Sequence, residues 1–440
     1  MPLLDTDRSL TRHSYYAATA PRTRSHPRLE GGEHRCDVAV VGGGFAGLSA
    51  AIELRDRGFD VTVLEAAEVG WGASGRNGGQ AIHGLACDIG VVEEQLGRDD
   101  ARRVYAMTIE ALDLIRGHAQ RFGIDCDWRD GHLAVATRDR KARALRAEVD
   151  RLAEGYGHPT TWVERTDLAR WIASPRYVAA AHDARSGHLH PLKYAHGLAQ
   201  AAAAQGARVH ESTAVTALRR EGAGVVLETS TGARLHARHA LLAGNVYLPE
   251  FGPALAPALA PRIMPVGTYI VATEVLAEGL ANSLIPCGAG VCDNNFVLDY
   301  FRVSADRRLL YGGRVSYSTA TPMNLAASMA RRMVGTFPQL AGVPVTHAWG
   351  GFVDISMNRA PDFGRLDAYG GAVYYLQGFS GHGVALTGLA GRLVAEAIAG
   401  DASRFDVFAR LRHRRFPGGR ALRTPALVLG MAYYRLRDLM

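Results

Sequence analysis

The sequence predicts an α/β protein of two interleaved domains, one on a parallel sheet and the other, α+β in character, on an antiparallel sheet. Three observations lead there. Residues 36–65 read strand, glycine turn, helix, strand. Residues 262–317 instead form short β-rich runs with alternating patterning. Residues 373–399 return to strand, glycine turn and helix, so the chain leaves the first domain and comes back to it. At 440 residues the chain is long enough for two cores.

The first 34 residues form a polar, basic arm without the apolar centre of a signal peptide. Residues 36–41 (CDVAVV) then read as a buried parallel strand, followed by the turn Gly42-Gly43-Gly44-Phe45-Ala46-Gly47. Residues 48–57 read as a helix stopped by Gly58, and a second strand ends on Glu65. Each part has a physical role. Gly42 permits the tight turn, Gly44 lets backbone approach a pyrophosphate, and Gly47 lets the helix pack on the strand. The helix N-terminus offers unpaired amides and the positive end of its dipole. Glu65, 18 residues beyond Gly47, is placed to accept both ribose hydroxyls, which disfavours a 2′-phosphate and hence NADP. The order of the parts defines a Rossmann-like dinucleotide site, and FAD and NAD both remain open at this point.

Residues 70–80 (GWGASGRNGGQ) are too rich in glycine for a helix and suit a loop lying flat against a planar ring. Residues 91–123, 139–155 and 192–205 carry helical patterning. Residues 235–243 read as a strand returning to the first sheet and ending in the turn at Gly244. Strands are expected at 268–273, 296–301 and 308–312, and a helix at 325–336. The turn 378–383 (GFSGHG) opens a helix over 384–399. A second glycine turn at a helix mouth, more than 300 residues after the first, favours FAD, because its amides suit the charge that collects on a reduced flavin ring. The resulting division is an arm over 1–34, a FAD-binding domain from 35–95, 185–250 and 345–440, and a substrate domain from 96–184 and 251–344.

Composition narrows the function classes. The formal charge is +7, yet only Lys141 and Lys193 are lysines and the other 48 basic residues are arginines. That skew, densest at Arg410, Arg412, Arg414, Arg415, Arg420, Arg423, Arg435 and Arg437, reads as a solvated face, and no nucleic-acid partner is expected. Five scattered cysteines without CxxC argue against a disulfide framework or zinc fingers and fit a cytoplasmic protein. The longest apolar stretch, 38–52, is too short to span a membrane and carries four glycines. His182, His188, His190 and His196 are close in sequence but lack HExxH or a carboxylate pair, so no metal is expected. Residues 378–382 fail the GxSxG pattern because His382 stands where glycine is needed.

Together the segments HSYYAATA (13–20), CDVAVVGGGFAGLSAA (36–51), GWGASGRNGGQ (70–80), VLDYFRVSADRRLLYGGR (297–314), WGGFVDISMNRAPDFGRL (349–366), GFSGHGVALTGLAG (378–391) and PGGRALRTP (417–425) resemble the glycine/D-amino-acid oxidase-like FAD oxidoreductases. The resemblance implies FAD contacts at Gly42, Gly43, Gly44, Phe45, Ala46, Gly47, Glu65, Ser74, Arg76, Asn77 and Gly78. It implies further contacts at Val215 and Gly244, and at Gly378, Ser380, Gly381, His382 and Gly383 beside the flavin. His382, Trp349 and Tyr300 are the catalytic candidates, and Tyr269 and Arg302 the substrate candidates; Phe301 and Arg314 belong to the same candidate wall.

The implied reaction removes hydride from the carbon bearing an amine, gives an imine that water hydrolyses to aldehyde and ammonia, and yields hydrogen peroxide if oxygen is the acceptor. The expected substrate is a γ-glutamylated polyamine. The alternatives are a small amino acid such as glycine, sarcosine or a D-amino acid, or a non-catalytic FAD-binding protein. Some relatives attach flavin through a His in the loop matching 70–80 or a Cys towards the C-terminus; this chain has neither a His there nor a Cys after Cys292, so non-covalent FAD is expected. It also lacks, in the matching segments, the Lys that sarcosine-oxidising relatives use with oxygen, which leaves molecular oxygen or another electron acceptor open. The sequence is silent on oligomeric state.

Overall fold

A computed structural model describes residues 3–11, 14–295, 297–316 and 324–417, with 314–316 described by backbone alone. The first sheet is built around Gly32–Val41, which pairs in parallel with Val61–Leu64 on one side and with Ala233–Leu242 on the other. Arg208–His210 extends it beyond Val61–Leu64, and Val373–Gln377 pairs in parallel with residues 240–242. Val38, Ala39 and Val40 are fully buried, as a central strand covered on both faces requires.

The helices Phe45–Asp56 and Gly383–Ile398 follow the two glycine turns and pack on each other. Gly391 makes that approach possible, since a Cβ there would lie 2.5 Å from the Ala46 carbonyl oxygen and 2.7 Å from the Ala50 nitrogen. Gly47 does the same against the strand, where a Cβ would lie 2.0 Å from the Gly42 oxygen. The close packing buries Leu48, Ile52, Leu389 and Leu393 completely.

The second sheet has nine strands and runs from Val345–Ser356 through Ile263–Thr273, Leu309–Ser316, Tyr300–Val303, Gly290–Asp293, Arg129–Ala136 and Ala179–His188 to Gln80–Ala81, with Thr161–Val163 as a side branch. It is antiparallel except where Gly290–Asp293 runs parallel to Arg129–Ala136. Its core gathers Phe301, Tyr311 and Phe337, with Phe301 stacked on Tyr311 at 5.4 Å.

Several boundaries depart from the sequence expectation. The helix expected over 91–123 is two, Ile89–Leu96 and Arg98–Phe122, because Gly97 between them sits at φ +84°. Of the strand expected over 296–301, Phe296 lies outside the described residues and the strand begins only at Tyr300. Asp293 Oδ1 accepts the amides of Asn295 and Asp299, which ties both residues back to the end of the strand Gly290–Asp293. The domain division also shifts. Val345–Ser356 pairs along its length with Ile263–Thr273 in the second sheet, and Arg98–Phe122 buries its apolar side in the first core. We therefore place 98–122 with the first domain and 345–356 with the second.

Candidate active site

Two cavities lie along the junction of the sheets, and Ala73 belongs to the wall of both. The first, of about 880 Å³, is bounded by Gly42, Gly44, Phe45, Ala46, Glu65 and Ser74 from the first turn and its surroundings. Val215 and Gly244 close its far side. Gly42 sits at φ +113°, a conformation open to glycine, and turns the chain into the helix. The Glu65 carboxylate accepts the Gly43 amide at 2.7 Å and the Ala67 amide at 2.8 Å. Burial pushes its pKa up, and those two amides oppose the shift. Each oxygen keeps a lone pair for a hydroxyl. Ser74 accepts the Phe45 amide at 3.0 Å, fastening the 70–80 loop to the helix mouth.

The second cavity, of about 1460 Å³, is bounded by Arg76, Asn77 and Gly78 of the loop, by Tyr300 and Thr268 of the second sheet, and by Ser380, Gly381 and His382 of the last turn. Gly378 and Gly383 hold the ends of that turn, and Ser380 is a non-glycine residue at φ +54°. Asp354 supports it. Its Oδ2 accepts the Phe379 amide at 2.9 Å, and its carbonyl accepts the Ser380 amide at 2.9 Å. Burial raises the Asp354 carboxyl to about 6. Asn77 spends its side chain inside the loop, donating to the Ala73 and Ser74 carbonyls and accepting the Gly79 amide. Gly78 leaves room for the Tyr300 ring, which a Cβ would meet at 2.7 Å.

The structure does not bring every sequence candidate to a cavity. Trp349 is fully buried behind the loop, donating from Nε1 to the Arg76 carbonyl at 3.1 Å and packing edge-on against Tyr16. It positions the loop and bounds neither cavity. Tyr269 is also fully buried, wedged against Gly267 and Gly350, while its strand neighbours Val266 and Thr268 face the cavity. Phe301 belongs to the second core. Arg302 is turned to the loop, donating from Nε to the Gly78 carbonyl at 2.9 Å and from Nη2 to the Tyr16 hydroxyl at 3.2 Å. It is a loop clamp and is not turned to a substrate carboxylate. The Arg314 side chain lies outside the described residues, as do the arginines beyond 417.

His382 does reach the cavity, with Nε2 at 2.8 Å from the His83 carbonyl. A carbonyl partner makes Nε2 the donor, and burial pushes the ring pKa down, which favours the neutral imidazole. Of the four histidines grouped in sequence, three meet separate partners. His188 meets the Gly288 carbonyl at 3.0 Å, His190 the Thr19 hydroxyl at 3.0 Å, and His182 packs on Trp171.

The residues fit FAD. The mouth of the helix Phe45–Asp56 opens on the first cavity, where a pyrophosphate is favoured by amides and dipole alike. Glu65 lies in the same wall for the ribose. Gly381, at φ +87°, faces space in which a Cβ would meet nothing within 4 Å, beside the second cavity where a ring system would lie. The buried Asn245 Oδ1, at the first cavity, has no hydrogen-bond partner on the protein.

Such a fold and paired cavities define a FAD-dependent oxidoreductase, and residues 37–397 match the family described as "FAD dependent oxidoreductase" (DAO), to which the chain belongs. FAD is its cofactor, as the sequence predicts. The chain is 45% identical over 98% of its length to the gamma-glutamylputrescine oxidoreductase of Escherichia coli (strain K12), covering 99% of that protein. Among solved structures, the glycine oxidase from Geobacillus kaustophilus superposes with TM-score 0.68 at 22% identity, over 83% of this chain and 95% of that one. The L-amino acid deaminase from Proteus vulgaris, in the form lacking its specific insertion, gives 0.70 at 19%, over 89% and 99%. At those identities the structures show a shared fold.

Sequence reasoning missed three contributors. Asp354 sits in the quoted segment 349–366 without any motif to mark it. Arg359 bounds the second cavity beside His382, on a turn where its own φ is +60°. Asp7, in the arm, pairs with Arg76 at 2.7 Å with both side chains buried. Only the last had a signal, since an arm with an apolar and acidic helix (Leu3–Thr11) is more than a linker.

Proposed function

We propose that this protein oxidises the C–N bond of a γ-glutamylated polyamine, γ-glutamylputrescine being the first candidate, to an aldehyde and ammonia. The observation that carries the reading is the near full-length relationship, at 45% identity, to the Escherichia coli enzyme of that name. The cavity agrees with it. Among the described residues that bound the second cavity there is no carboxylate, and of its two arginines, Arg76 and Arg359, the first is paired with Asp7. An amine entering it meets no carboxylate in the wall to hold it protonated, so the neutral amine needed for oxidation is favoured. Arg359 is suited to a carboxylate at the far end of a long substrate. Val297, Leu298 and Ile355 supply apolar wall for a flexible methylene chain.

Bound FAD supplies the two-electron acceptor for hydride from the carbon next to nitrogen. The protein holds the amine neutral, orients that carbon between the last turn and Tyr300, and admits the water that hydrolyses the imine. Molecular oxygen or another acceptor then takes the electrons. Oxidation of glycine or sarcosine is the weaker reading, because a small amino acid needs a carboxylate clamp beside the reacting carbon and Arg302 is committed to the loop. A cytoplasmic location belongs to the same proposal; the five cysteines are unpaired, and no described helix is long and apolar enough to cross a membrane.

Anaerobic mixing with γ-glutamylputrescine, putrescine, glycine, sarcosine and D-alanine tests the substrate class. Bleaching of the flavin band is expected to be fastest with γ-glutamylputrescine, and a faster response to glycine or sarcosine would reverse the assignment. Non-covalent attachment is part of the same reading: burial keeps the Cys292 thiol in the cavity wall protonated and unreactive. Acid precipitation is expected to leave the yellow colour in the supernatant, and a coloured pellet would contradict it.

A further inference from the structure

Outside the cavities, three side chains from distant segments converge behind the 82–88 loop. His83 follows the short strand Gln80–Ala81, His158 follows the helix Asp139–Tyr156, and Asp183 lies in the strand Ala179–His188. The candidate ligand atoms of all three lie within 4.8 Å of one another. His158 Nε2 is 3.4 Å from Asp183 Oδ1, His83 Nε2 is 3.8 Å from Asp183 Oδ2, and the two imidazole centroids are 4.2 Å apart. His158 is only 3% exposed, and its Nε2 makes no well-aligned hydrogen bond although Asp183 Oδ1 is in reach. His132, the cross-strand neighbour of Asp183, is likewise buried with an unpartnered Nε2.

From this geometry we infer a divalent transition-metal site, with Zn²⁺ as the expected ion, held by His83 Nε2, His158 Nε2 and Asp183. Two imidazoles and one carboxylate are a donor set that zinc takes readily, with a water in the fourth position. Bonds of about 2.0–2.2 Å place tetrahedral ligand atoms roughly 3.3–3.5 Å apart, so the set has only to close by a small side-chain movement. The outer contacts are already in place. The Tyr105 hydroxyl lies 2.9 Å from His83 Nδ1, and by accepting the Nδ1 proton it leaves the Nε2 lone pair for the metal. Asp183 is oriented by the amides of Arg185 at 2.9 Å and Ser186 at 3.1 Å.

The ion would act as a latch. It would tie the 82–88 loop, which supplies Ile82, Leu85 and Ala86 to the second cavity, to the second sheet and to the end of the helix Asp139–Tyr156. The same loop offers the His83 carbonyl to His382, so the latch also fixes the ring beside the cavity. The inference does not depend on the substrate assignment, since its readouts are metal content and stability.

The test uses untagged holoenzyme stripped with a chelator and dialysed against Zn²⁺ or Co²⁺. Expected are one metal per chain, a higher Tm with Zn²⁺, and Co²⁺ d–d bands to the red of the flavin absorption. His158→Gln and Asp183→Asn are expected to weaken Co²⁺ binding by at least ~100-fold and abolish the Tm response while FAD stays bound. His196→Ala, outside the cluster, is expected to change neither. Substoichiometric metal in the wild type, or full binding by His158→Gln, would overturn the site. If either ligand variant loses FAD, Tyr105→Phe decides in its place. It keeps all three ligands and is expected to bind Co²⁺ about 10–100-fold more weakly, whereas unchanged affinity would count against the site.

Discussion

The first and last glycine turns both deliver a helix N-terminus to a cavity, yet they are built in opposite ways. The first is nearly self-sufficient. Its strand, turn, helix and acid all fall within residues 32–65, with help from close by in the chain: the Ala67 and Gly70 amides and the Ser74 hydroxyl. The last is held from a distance, by Asp354 beneath it and by the His83 carbonyl 299 residues earlier in the chain. A turn made of local backbone is a motif, whereas a turn held by remote side chains has no compact signature. Binding of the cofactor is therefore the robust half of the site, and its chemistry depends on the assembled half.

The comparison breaks most directly at Gly44. A Cβ there would lie 2.8 Å from the Ser74 hydroxyl that anchors the loop, and a larger side chain would fill the approach to the phosphates. Gly44→Val is expected to abolish FAD binding, while the second sheet, whose main core is separate from the one around this turn, keeps its structure. Protein purified with full FAD occupancy would show that the first turn does not hold the pyrophosphate.

Acid is expected to weaken the whole fold through its buried histidines. Burial lowers His83, His188 and His190 to about 3 and His118 and His132 to about 4. Unfolding returns them to the ordinary value near 6.5, so the unfolded chain takes up protons that the folded one refuses. Their stabilisation is complete above about pH 6.5 and is lost as pH falls. Asp293 and Asp354 work the other way, since burial raises both to about 6 and the folded chain binds their protons first. The balance is about three protons in favour of unfolding, or on the order of 4 kcal/mol per pH unit between pH 6 and 4. Urea midpoints at pH 7 and pH 5 measure it, and equal midpoints would mean that these rings are not buried neutral.

The arm provides a third contrast, because Asp7 clamps the loop that both cavities share. Burial pushes the Asp7 carboxyl up, outweighing Arg76 beside it, so the pair is held under a desolvation cost. Asp7→Ala leaves the Arg76 cation buried without a counter-charge and is expected to cost about 3–5 kcal/mol. Asp7→Ala together with Arg76→Met is expected to recover much of the loss, which thermal melts of the two variants will show.

Legibility in the sequence follows the same divide. The parallel sheet, both turns and Glu65 were readable because each rests on adjacent residues with steric or dipolar roles. Tyr300 was readable as a wall residue, but Trp349, Tyr269 and Arg302 were misplaced because period-two alternation does not say which face of a sheet meets the cavity. A bulge between Thr268 and Tyr269 blurs even that alternation. Asp354, Asp7 and the His83–His158–Asp183 cluster join residues dozens to hundreds of positions apart, and no spacing rule links them.

The smallest expected effect concerns His382, where the two halves meet. Burial lowers its pKa and so favours the neutral ring, whose Nε2 proton is given to the His83 carbonyl at 2.8 Å. A neutral ring adds no charge to the positive end of the helix dipole, so the rate of flavin reduction does not follow its ionisation. Its contribution is position, by joining the last turn to the 82–88 loop across the second cavity. His382→Ala removes one hydrogen bond of about 0.5–1.5 kcal/mol and is expected to slow reduction by roughly 2–10-fold at saturating amine. FAD should remain bound, since the first turn is untouched. His382→Gln, which keeps a donor able to reach the carbonyl, should recover most of the rate. Rapid-mixing reduction from pH 6 to 10 separates position from charge: the profiles of wild type and His382→Ala are expected to be parallel, displaced by a constant factor. A break near pH 6–7 present in the wild type and missing in His382→Ala would give the ring a charged role and overturn the neutral one.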